Sequence, residues 1–268
     1  MSGSDWGRDE VPLDRPSSAR IYDYFLGGYH NFEVDRKICN MLLEVCPHLR
    51  QNAIVNRAFL RRTVNLMLDE GIDQFLDLGS GIPTVGNVHE IARAANPEAR
   101  VVYVDNDPVA VAHGRAMLAD DERATSIRFD VRQSEAILAH PKVQELLDFE
   151  RPLGLLFVAI VHFVADDDEA YQSVRPFADA LVPGSLMALS HTAGDIEIPG
   201  MDKLTALFGQ ASTTVGRSRD QVMRFFQGFD LVEPGLVFTP LWRPEGPDDL
   251  FLSNPELSFN VGGVGRKP

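Results

Sequence analysis

The chain has 268 residues and carries 25 Lys and Arg against 39 Asp and Glu, which gives a formal net charge of −14. This acidity argues against a nucleic-acid scaffold and against docking on anionic lipid, because both need a basic surface. No apolar run approaches the roughly 18 residues that span a bilayer, and the polar N-terminus lacks the apolar stretch of a secretory signal. We therefore expect a cytoplasmic protein built on one α/β domain.

The first quarter of the chain is predicted to be helical. Residues 1–16 are mostly polar and predict a disordered tail. Apolar residues at helical spacing then predict three helices, at about 17–26, 33–46 and 52–69, with breakers at Gly27-Gly28, Pro47 and Gly71. We expect residues 17–70 to form a helical cap or lid on the domain that follows.

From residue 71 onwards, short apolar runs alternate with helical stretches. Strands are predicted at 75–78, 101–104, 127–131, 153–163, 185–190, 231–238 and 257–262. Helices are predicted at about 84–95, 108–119, 134–148, 167–182 and 200–228, the last broken near Gly216. This alternation predicts a mostly parallel sheet with helices on both faces. Because residues 239–256 look like a loop, we expect an antiparallel last strand added to a six-stranded parallel sheet, seven strands in all, within a domain at 71–268.

A buried strand runs into a Gly-rich turn at residues 75–86. Open α/β sheets bind their ligands at such a turn. Gly79 and Gly81 let the backbone approach a ligand closely and adopt a positive φ. Asp77 is an unusual residue for the end of an apolar strand, and its carboxylate needs a donor, for which a ligand ammonium would serve.

Two further acids follow the second predicted strand. Asp105 falls at its carboxyl end, where an acid can accept hydrogen bonds from both hydroxyls of a ribose. Asp107 precedes Pro108, and this pair is more typical of a helix N-cap followed by proline at the first helical position.

Two kinds of nucleotide cofactor compete for this pattern. A nicotinamide dinucleotide requires a third glycine three residues after the second, so that the helix packs closely over a pyrophosphate. Thr84 stands there instead, Pro83 occupies the turn, and Asp77 would repel the phosphates. An acid before the turn favours a cation such as the α-amino group of S-adenosylmethionine.

Several segments together resemble a known family. The Asp-x-Gly-x-Gly turn with an acid at the end of the next strand resembles the class I S-adenosylmethionine-dependent methyltransferases. Residues 19–36 resemble the N-terminal signature of a bacterial S-adenosyl methyltransferase family, formerly a domain of unknown function, and residues 75–87, 101–108 and 262–268 also fit it. The resemblance implies a Rossmann-like, seven-stranded methyltransferase fold with bound S-adenosylmethionine.

The resemblance also implies roles for residues at the edge of the sheet. These are Asp77, Gly79 and Gly81 along the methionine part, Asp105 on the ribose, Asn106 beside the adenine, Asp130 at the adenine amino group and Val131 beneath the ring. Asp130 is taken to end the third strand, and a surface loop acid is an equally good interpretation of it.

The N-terminal signature contains more hydrogen-bonding groups than a plain amphipathic helix needs. Tyr22, Tyr24, Gly28 and Asn31 belong to it, and we expect them to fold over the donor as a lid that excludes water. The alternative is a docking helix, with Asp35-Arg36 as solvated charges.

Three cationic or titratable side chains are candidates near the reaction. Arg57, on the third helix, is predicted to pair with a ligand carboxylate or with one of the many acids of the chain. His162, after the fourth strand, is the candidate general base because histidine titrates near neutrality. The alternative is a buried, hydrogen-bonded histidine. His191, after the fifth strand, is a weaker candidate.

Metal binding has little support. Cys39 and Cys46 are spaced to share one helical face and are predicted to be buried free thiols. The acid run at 166–169 is predicted to cap a helix rather than hold an ion.

The sequence thus predicts an S-adenosylmethionine-dependent methyltransferase that acts on an unidentified, small-molecule acceptor. The alternative is a protein that binds S-adenosylmethionine or S-adenosylhomocysteine without turnover. As partners we expect neither nucleic acid nor membrane, and a homodimer is one option for assembly.

Overall fold

The computed structural model describes residues 14–83, 86–196 and 200–268. Most of the predicted tail, residues 1–13, lies outside the described residues, and so does Thr84. Within the described ranges, no helix is both long enough and apolar enough to cross a membrane.

The N-terminal helices form where the apolar spacing predicts them. They are α1 (Ser18–Phe25), α2 (Glu33–Val45) and α3 (Leu49–Asp69). α2 begins with a capping box in which the Asp35 side chain accepts from the Phe32 backbone amide, and such a box satisfies amides that a helix start leaves free. α3 begins three residues earlier than predicted, and its second half packs on the sheet through a stripe that includes Phe59, Val64 and Met67.

A single mixed sheet forms the centre of the molecule. Its strands are β1 (Gln74–Leu78), β2 (Arg100–Asp105), β3 (Ala124–Arg128), β4 (Gly154–Val158), β5 (Leu186–Thr192), β6 (Asp230–Leu231), β7 (Val237–Phe238) and β8 (Asn260–Arg266). The order is β3-β2-β1-β4-β5-β8-β6, with β7 also paired to β8. The first five strands are parallel, whereas β8 is antiparallel to β5, β6 and β7.

Two expectations about the sheet need correction. It has eight strands rather than seven, because Pro234 and Gly235 interrupt the apolar run at 231–238; proline has no amide hydrogen to give to a ladder. The parallel part also has five strands rather than six, because the segment predicted as the sixth strand pairs with β8 and not with β5. The last strand is antiparallel, as expected, and it lies between β5 and the short pair β6 and β7.

Helices cover both faces of the sheet. They are α4 (Val88–Ala95), α5 (Pro108–Met117), α6 (Ser134–Leu138), α7 (Pro141–Leu146), α8 (Asp167–Ala180), α9 (Met201–Phe208) and α10 (Arg219–Met223). Alternate strand residues enter opposite apolar clusters: Leu76, Val102, Leu155 and Met187 belong to one, and Phe75, Val101, Leu156 and Ala188 to the other. Residues of a strand alternate between the two faces of its sheet, so both faces are buried.

Two predicted helices and one predicted strand are shorter than expected. The helix predicted at 134–148 divides into α6 and α7 because Pro141 starts a new helix. The stretch predicted as helix at 200–228 contains α9 and α10, with non-helical backbone between them. β4 ends at Val158 because the next residue, Ala159, has a positive φ of 58°.

The cap is not made by the N-terminal residues alone. α9, which follows β5, packs on α2. Leu204 of α9 joins Ile21, Leu42 and Phe259 in one apolar cluster. The carboxyl ends of the strands are therefore covered both by the N-terminal helices and by the segment after β5.

Candidate functional site

Asp77 lies at the end of β1 and is only 5% exposed. Burial raises the pKa of its carboxyl to about 7; Arg57 opposes this shift and Asp105 adds to it. Among the residues that the structure describes, none donates a side-chain hydrogen bond to this carboxylate. A buried acid without a donor needs a partner, and a cationic ligand group would provide it.

The Gly-rich turn requires its glycines for two different reasons. Gly79 and Gly81 both have positive φ, 72° and 67°. A side chain on Gly79 would meet Ile160 at 2.4 Å, whereas one on Gly81 would meet nothing within 4 Å. Ala159, before Ile160, holds a positive φ that is uncommon for a residue other than glycine. The turn after β1 and the end of β4 are thus in close contact.

Asp105 ends β2 and holds the turn in place. Its two carboxylate oxygens accept from the Gly81 amide at 2.7 Å and from the Asp107 amide at 2.8 Å. Burial raises its pKa to about 6, although these amides lower it. Asp107 caps α5, as predicted, by accepting from the Val109 amide at 2.7 Å. It also accepts from the Ser17 hydroxyl, which links the cap to α5.

The three residues predicted beside the adenine lie at the neighbouring strand ends. Asn106 is exposed, and after Arg132 it makes a smaller contribution to lowering the pKa of Asp130. Asp130 lies two residues beyond β3 and pairs with Arg132 at 2.7 Å. Val131 is buried in a core cluster of the sheet. The acid is therefore already bound to a neighbour, and the interpretation as a loop acid gains support.

The double glycine of the N-terminal signature is built around Asp23. This fully buried carboxylate accepts from the His30 amide and from the Asn31 side chain, both at 2.9 Å. Gly28 packs so closely that a side chain there would lie 2.0 Å from Asp23. Asn31 thus holds the turn itself, and the structure does not direct it to the Gly-rich turn. The ring of His30 lies 3.9 Å from that of His113 on α5.

The two tyrosines of the signature point to different places. The Tyr22 hydroxyl donates to the Ala53 carbonyl and accepts from Asn56, at 3.2 Å each. The Tyr24 hydroxyl donates to Asn40, which is exposed on α2, and lies away from the other predicted site residues. Tyr22 is the one of the pair next to Arg57, whose guanidinium lies 6.0 Å from its ring.

The cap also contacts the Gly-rich turn directly. Ala19 and Phe32 pack on a small cluster formed by Ile82, Val109 and Ala110. This contact places residues of the cap directly on the end of the Gly-rich turn. One part of the alternative is wrong: Asp35 is fully buried and pairs with Arg20 at 2.7 Å, so it is not a solvated charge.

His162 and His191 lie beneath the segment that precedes α10. Burial, His191 and Arg217 hold the pKa of His162 well below its usual value. The His162 Nδ1 lies 3.4 Å from the Thr192 hydroxyl. His191 Nε2 accepts from Arg217 at 3.0 Å, and burial lowers its pKa to about 4. Both imidazoles are therefore neutral at physiological pH.

Arg217 lies at the centre of the hydrogen bonds on this side of the site, and no local motif predicted it. Its fully buried guanidinium donates to Asp167 and to the carbonyls of Val161, Val164 and Asp166. Asp166 caps α8 through the Glu169 amide, so the acid run acts as a helix cap, as predicted. No group of three or more metal ligands occurs in the described part of the chain.

Sequence reasoning also missed Asn56 and Ser190. The Ser190 hydroxyl donates to Asn56 Oδ1 at 2.7 Å, and the same serine oxygen accepts from the Ala159 amide. Together with Tyr22, these residues join α1, α3, β5 and the end of β4. A polar residue on the sheet-facing stripe of α3 was the available signal for Asn56.

The charged groups fit the methionine part of S-adenosylmethionine. Asp77 offers a buried carboxylate, and Arg57 presents a buried Nε atom without a hydrogen-bond partner in the described structure. Both line one narrow cleft together with Gly81 and Tyr103. An ammonium against Asp77 and a carboxylate against Arg57 would satisfy both groups, and Asp105 ends β2 where ribose hydroxyls are bound in this kind of sheet.

Residues 4–268 match the family described as S-adenosyl methyltransferase. A crystal structure of a candidate methyltransferase from Thermobifida fusca YX is 41% identical, with 98% of this chain and 99% of that one covered and a TM-score of 0.90. A protein of the DUF574 family from Streptomyces avermitilis is 34% identical, with 96% of this chain and 99% of that one covered and a TM-score of 0.89. No curated protein matches. Because the family match spans nearly the whole chain, this protein belongs to the S-adenosyl methyltransferase family and is an S-adenosylmethionine-dependent methyltransferase.

Proposed function

We propose that the protein methylates an uncharged small molecule. The observation that carries this proposal is the burial of the site on the acceptor side. Ser190 is fully buried and His162 is only 7% exposed, and both lie at the carboxyl ends of β4 and β5 under the cap. A site so covered can admit a small molecule but not a folded protein or a nucleic-acid duplex.

Charge supports the same choice of acceptor. The net charge of −14 works against binding of nucleic acid and anionic lipid. In addition, Arg217, the buried cation on this side, already donates to carbonyls, Asp167 and His191. It therefore has little capacity left to neutralise an anionic acceptor.

The residues of this chain contribute mainly by binding and orienting. Bound S-adenosylmethionine supplies an electrophilic methyl group, which passes to a nucleophilic atom of the acceptor and leaves S-adenosylhomocysteine. Asp77 and Arg57 would fix the methionine end, and Asp105 would fix the ribose. Holding the two reactants in line accounts for a large share of such rate enhancements.

The proton of a neutral acceptor needs a destination, and His162 remains the predicted base. A base works best when its pKa lies near the working pH. Because burial lowers the pKa of His162, we expect its contribution to be small and the acceptor atom to be one that is nucleophilic without strong assistance.

The test is a donor-turnover assay on separated cell extract. Purified protein is incubated with S-adenosylmethionine and either the small-molecule filtrate or the macromolecular retentate, and release of S-adenosylhomocysteine is measured. We expect release with the filtrate, and little with the Asp105→Ala variant in the same filtrate. Methyl transfer to the retentate alone would contradict a small-molecule acceptor. Tight donor binding with no turnover in either fraction would favour the binding protein.

A further inference from the structure

Asn52 is a buried amide with no partner. It is 6% exposed, and neither its Nδ2 nor its Oδ1 atom forms a hydrogen bond in the described structure. A buried polar group left unpaired is destabilising and calls for an explanation. Asn56, one helical turn further on, is equally buried but is fully engaged with Tyr22 and Ser190.

The position of Asn52 follows from the stripe of α3 that faces the sheet. Residues 52, 56, 59, 63 and 67 recur at helical spacing and are all buried. Near the end of α3, Met67 lies beside Gly154 at the start of β4. Asn56 meets Ser190 towards the end of β5. Since β4 and β5 are parallel, α3 runs antiparallel to them.

The same register places Asn52 at the acceptor side of the site. Four residues back along a helix cover about 6 Å, and two residues forward along a strand cover about 6.6 Å. Starting from the contact between Asn56 and Ser190, both steps lead towards the carboxyl edge, so we infer that Asn52 lies at the level of Thr192. The Thr192 hydroxyl lies 3.4 Å from His162 Nδ1 and 3.5 Å from Asn260 Oδ1.

The surroundings of Asn52 at this edge are polar but neutral. His162 and His191 have lowered pKa values, and the guanidinium of Arg217 is occupied by Asp167 and by backbone carbonyls. A second unpartnered group is the buried hydroxyl of Thr214. It precedes Val215, whose amide donates to the His162 carbonyl at 2.9 Å. Two unsatisfied polar groups thus belong to segments that border His162 and Thr192.

We propose that Asn52 recognises the methyl acceptor, and that the acceptor carries a planar group with an N–H beside a C=O, as in a lactam or an amide. A carboxamide side chain offers one acceptor oxygen and one donor nitrogen side by side, and only a group with the complementary pair satisfies both. A carboxylate can accept from Nδ2 but has nothing to donate to Oδ1, and a single hydroxyl can reach both atoms only through two strongly bent hydrogen bonds. This inference rests on the proposed small-molecule methyltransferase function.

The test uses a matched pair of small probes on the protein saturated with S-adenosylhomocysteine. 2-Pyridone presents the N–H and C=O edge, and 1-methyl-2-pyridone has the same ring without the N–H. Binding is followed by ligand-observed NMR titration. We expect the wild-type protein to bind 2-pyridone at least tenfold more tightly than its N-methyl derivative, and Asn52→Leu to remove this preference.

The control is Gln51→Leu, the neighbouring amide of the same helix, which turns away by about 100° and should keep the preference. Asn52→Leu should also retain the wild-type affinity for S-adenosylhomocysteine, which shows that the fold and donor site are intact. If Asn52→Leu does not fold, the same titrations are made on Asn52→Ala. Its preference for 2-pyridone, compared with that of the wild-type protein, then shows whether Asn52 recognises the probe.

Two outcomes would overturn the inference. One is a wild-type protein that binds S-adenosylhomocysteine but does not bind 2-pyridone, or binds both probes equally. The other is an equal loss of preference in Gln51→Leu and Asn52→Leu. The proposed function fails in a different way, through turnover with macromolecular acceptors only, so the two failures can be told apart.

Discussion

The donor side and the proposed acceptor side of this site differ in their charged groups. On the donor side, Asp77 and Asp105 are buried acids with raised pKa values, next to the turn in which Gly79 and Gly81 have positive φ. On the acceptor side, His162 and His191 are neutral, and one buried arginine is satisfied mostly by carbonyl oxygens. The donor is a charged molecule and needs charged partners, whereas the acceptor side favours recognition by hydrogen bonds.

The two sides also differ in how the chain assembles them. The acids and glycines of the donor side lie between residues 77 and 107, on two adjacent parallel strands. The proposed acceptor side collects Asn52, His162, Thr192 and Arg217 from four separate segments. A local motif can encode the first arrangement, but the second arises only through tertiary packing.

The largest expected effect concerns the acceptor side. Arg217→Met leaves Asp167, His191 and three carbonyls without their donor, and we expect it to lower the free energy of unfolding by about 3–5 kcal/mol, as is usual when one partner of a buried charged network is removed. Chemical denaturation measures this. Arg219→Met is the control, because Arg219 contacts the ring of Phe238 from an exposed position. Equal losses in both variants would contradict a special role for Arg217.

The next effect separates two glycines of the donor side. Gly79→Ala meets Ile160 and also adopts an unfavourable φ, so we expect it to cost roughly 2–4 kcal/mol of stability and most of the donor affinity. Gly81→Ala has only the unfavourable φ and should cost about 1 kcal/mol. Thermal unfolding and calorimetry with S-adenosylhomocysteine measure both. If Gly81→Ala lost more stability than Gly79→Ala, the contact with Ile160 would not be the reason that the turn requires glycine.

Asp105→Ala tests the predicted ribose contact. Removing the carboxylate should weaken binding of S-adenosylhomocysteine by roughly 1–3 kcal/mol, the usual cost of losing a charged hydrogen-bond partner. The Gly81 amide loses its partner as well, so the variant Asp105→Asn, which keeps an acceptor oxygen, should be affected less. Unchanged affinity of Asp105→Ala in calorimetry would refute the ribose role.

The smallest effect is a dependence of donor binding on pH. The pKa of Asp77 is raised to about 7, so the carboxylate that should meet the ligand ammonium is mostly protonated at pH 6 and mostly ionised at pH 8. We expect roughly tenfold tighter binding of S-adenosylhomocysteine at pH 8 than at pH 6, and a much flatter profile in Asp77→Asn.

The raised pKa of Asp77 has the opposite effect on the stability of the donor-free protein, which falls as the pH rises. Because the folded state holds the Asp77 proton more tightly than the unfolded state, whose pKa is about 3.9, its contribution to stability is complete below that value. The contribution is lost as the pH rises towards 7. In the absence of donor, we compare the free energy of unfolding of the wild-type protein with that of Asp77→Asn. The wild-type value relative to the variant should be lower at pH 7 than at pH 4. Parallel pH profiles for the two proteins would contradict this assignment.

How far the sequence predicts the structure depends on the range of the contacts involved. The five parallel strands and the helix cap at Asp107 follow from local periodicity and short motifs, and all of them are present. The division of the predicted sixth strand, the placement of β8 inside the sheet and the contact of α9 with the cap depend on packing between distant segments. No window of sequence contains that information.

The N-terminal signature shows the same limit within the candidate site. Asn31, which was expected to fold over the donor, holds the turn around Asp23. Asp35, a solvated charge in the alternative interpretation, pairs with Arg20 inside the cap. A polar residue in such a motif can bind the backbone or a ligand equally well, and only the partners of each side chain distinguish the two. Arg57, by contrast, lines a cleft with Asp77, and its guanidinium lies 6.0 Å from the ring of Tyr22.

The interior position of β8 has a consequence for how the protein folds. Thr192 on β5 and its partner Asn260 on β8 are 68 residues apart, so β5 remains an open edge until nearly the whole chain is available. Pairings between distant segments form slowly, and an unpaired apolar edge strand invites association with other chains. We therefore expect damage to β8 to appear first as aggregation of newly made protein, well before any loss of methyl transfer by molecules that have completed their sheet.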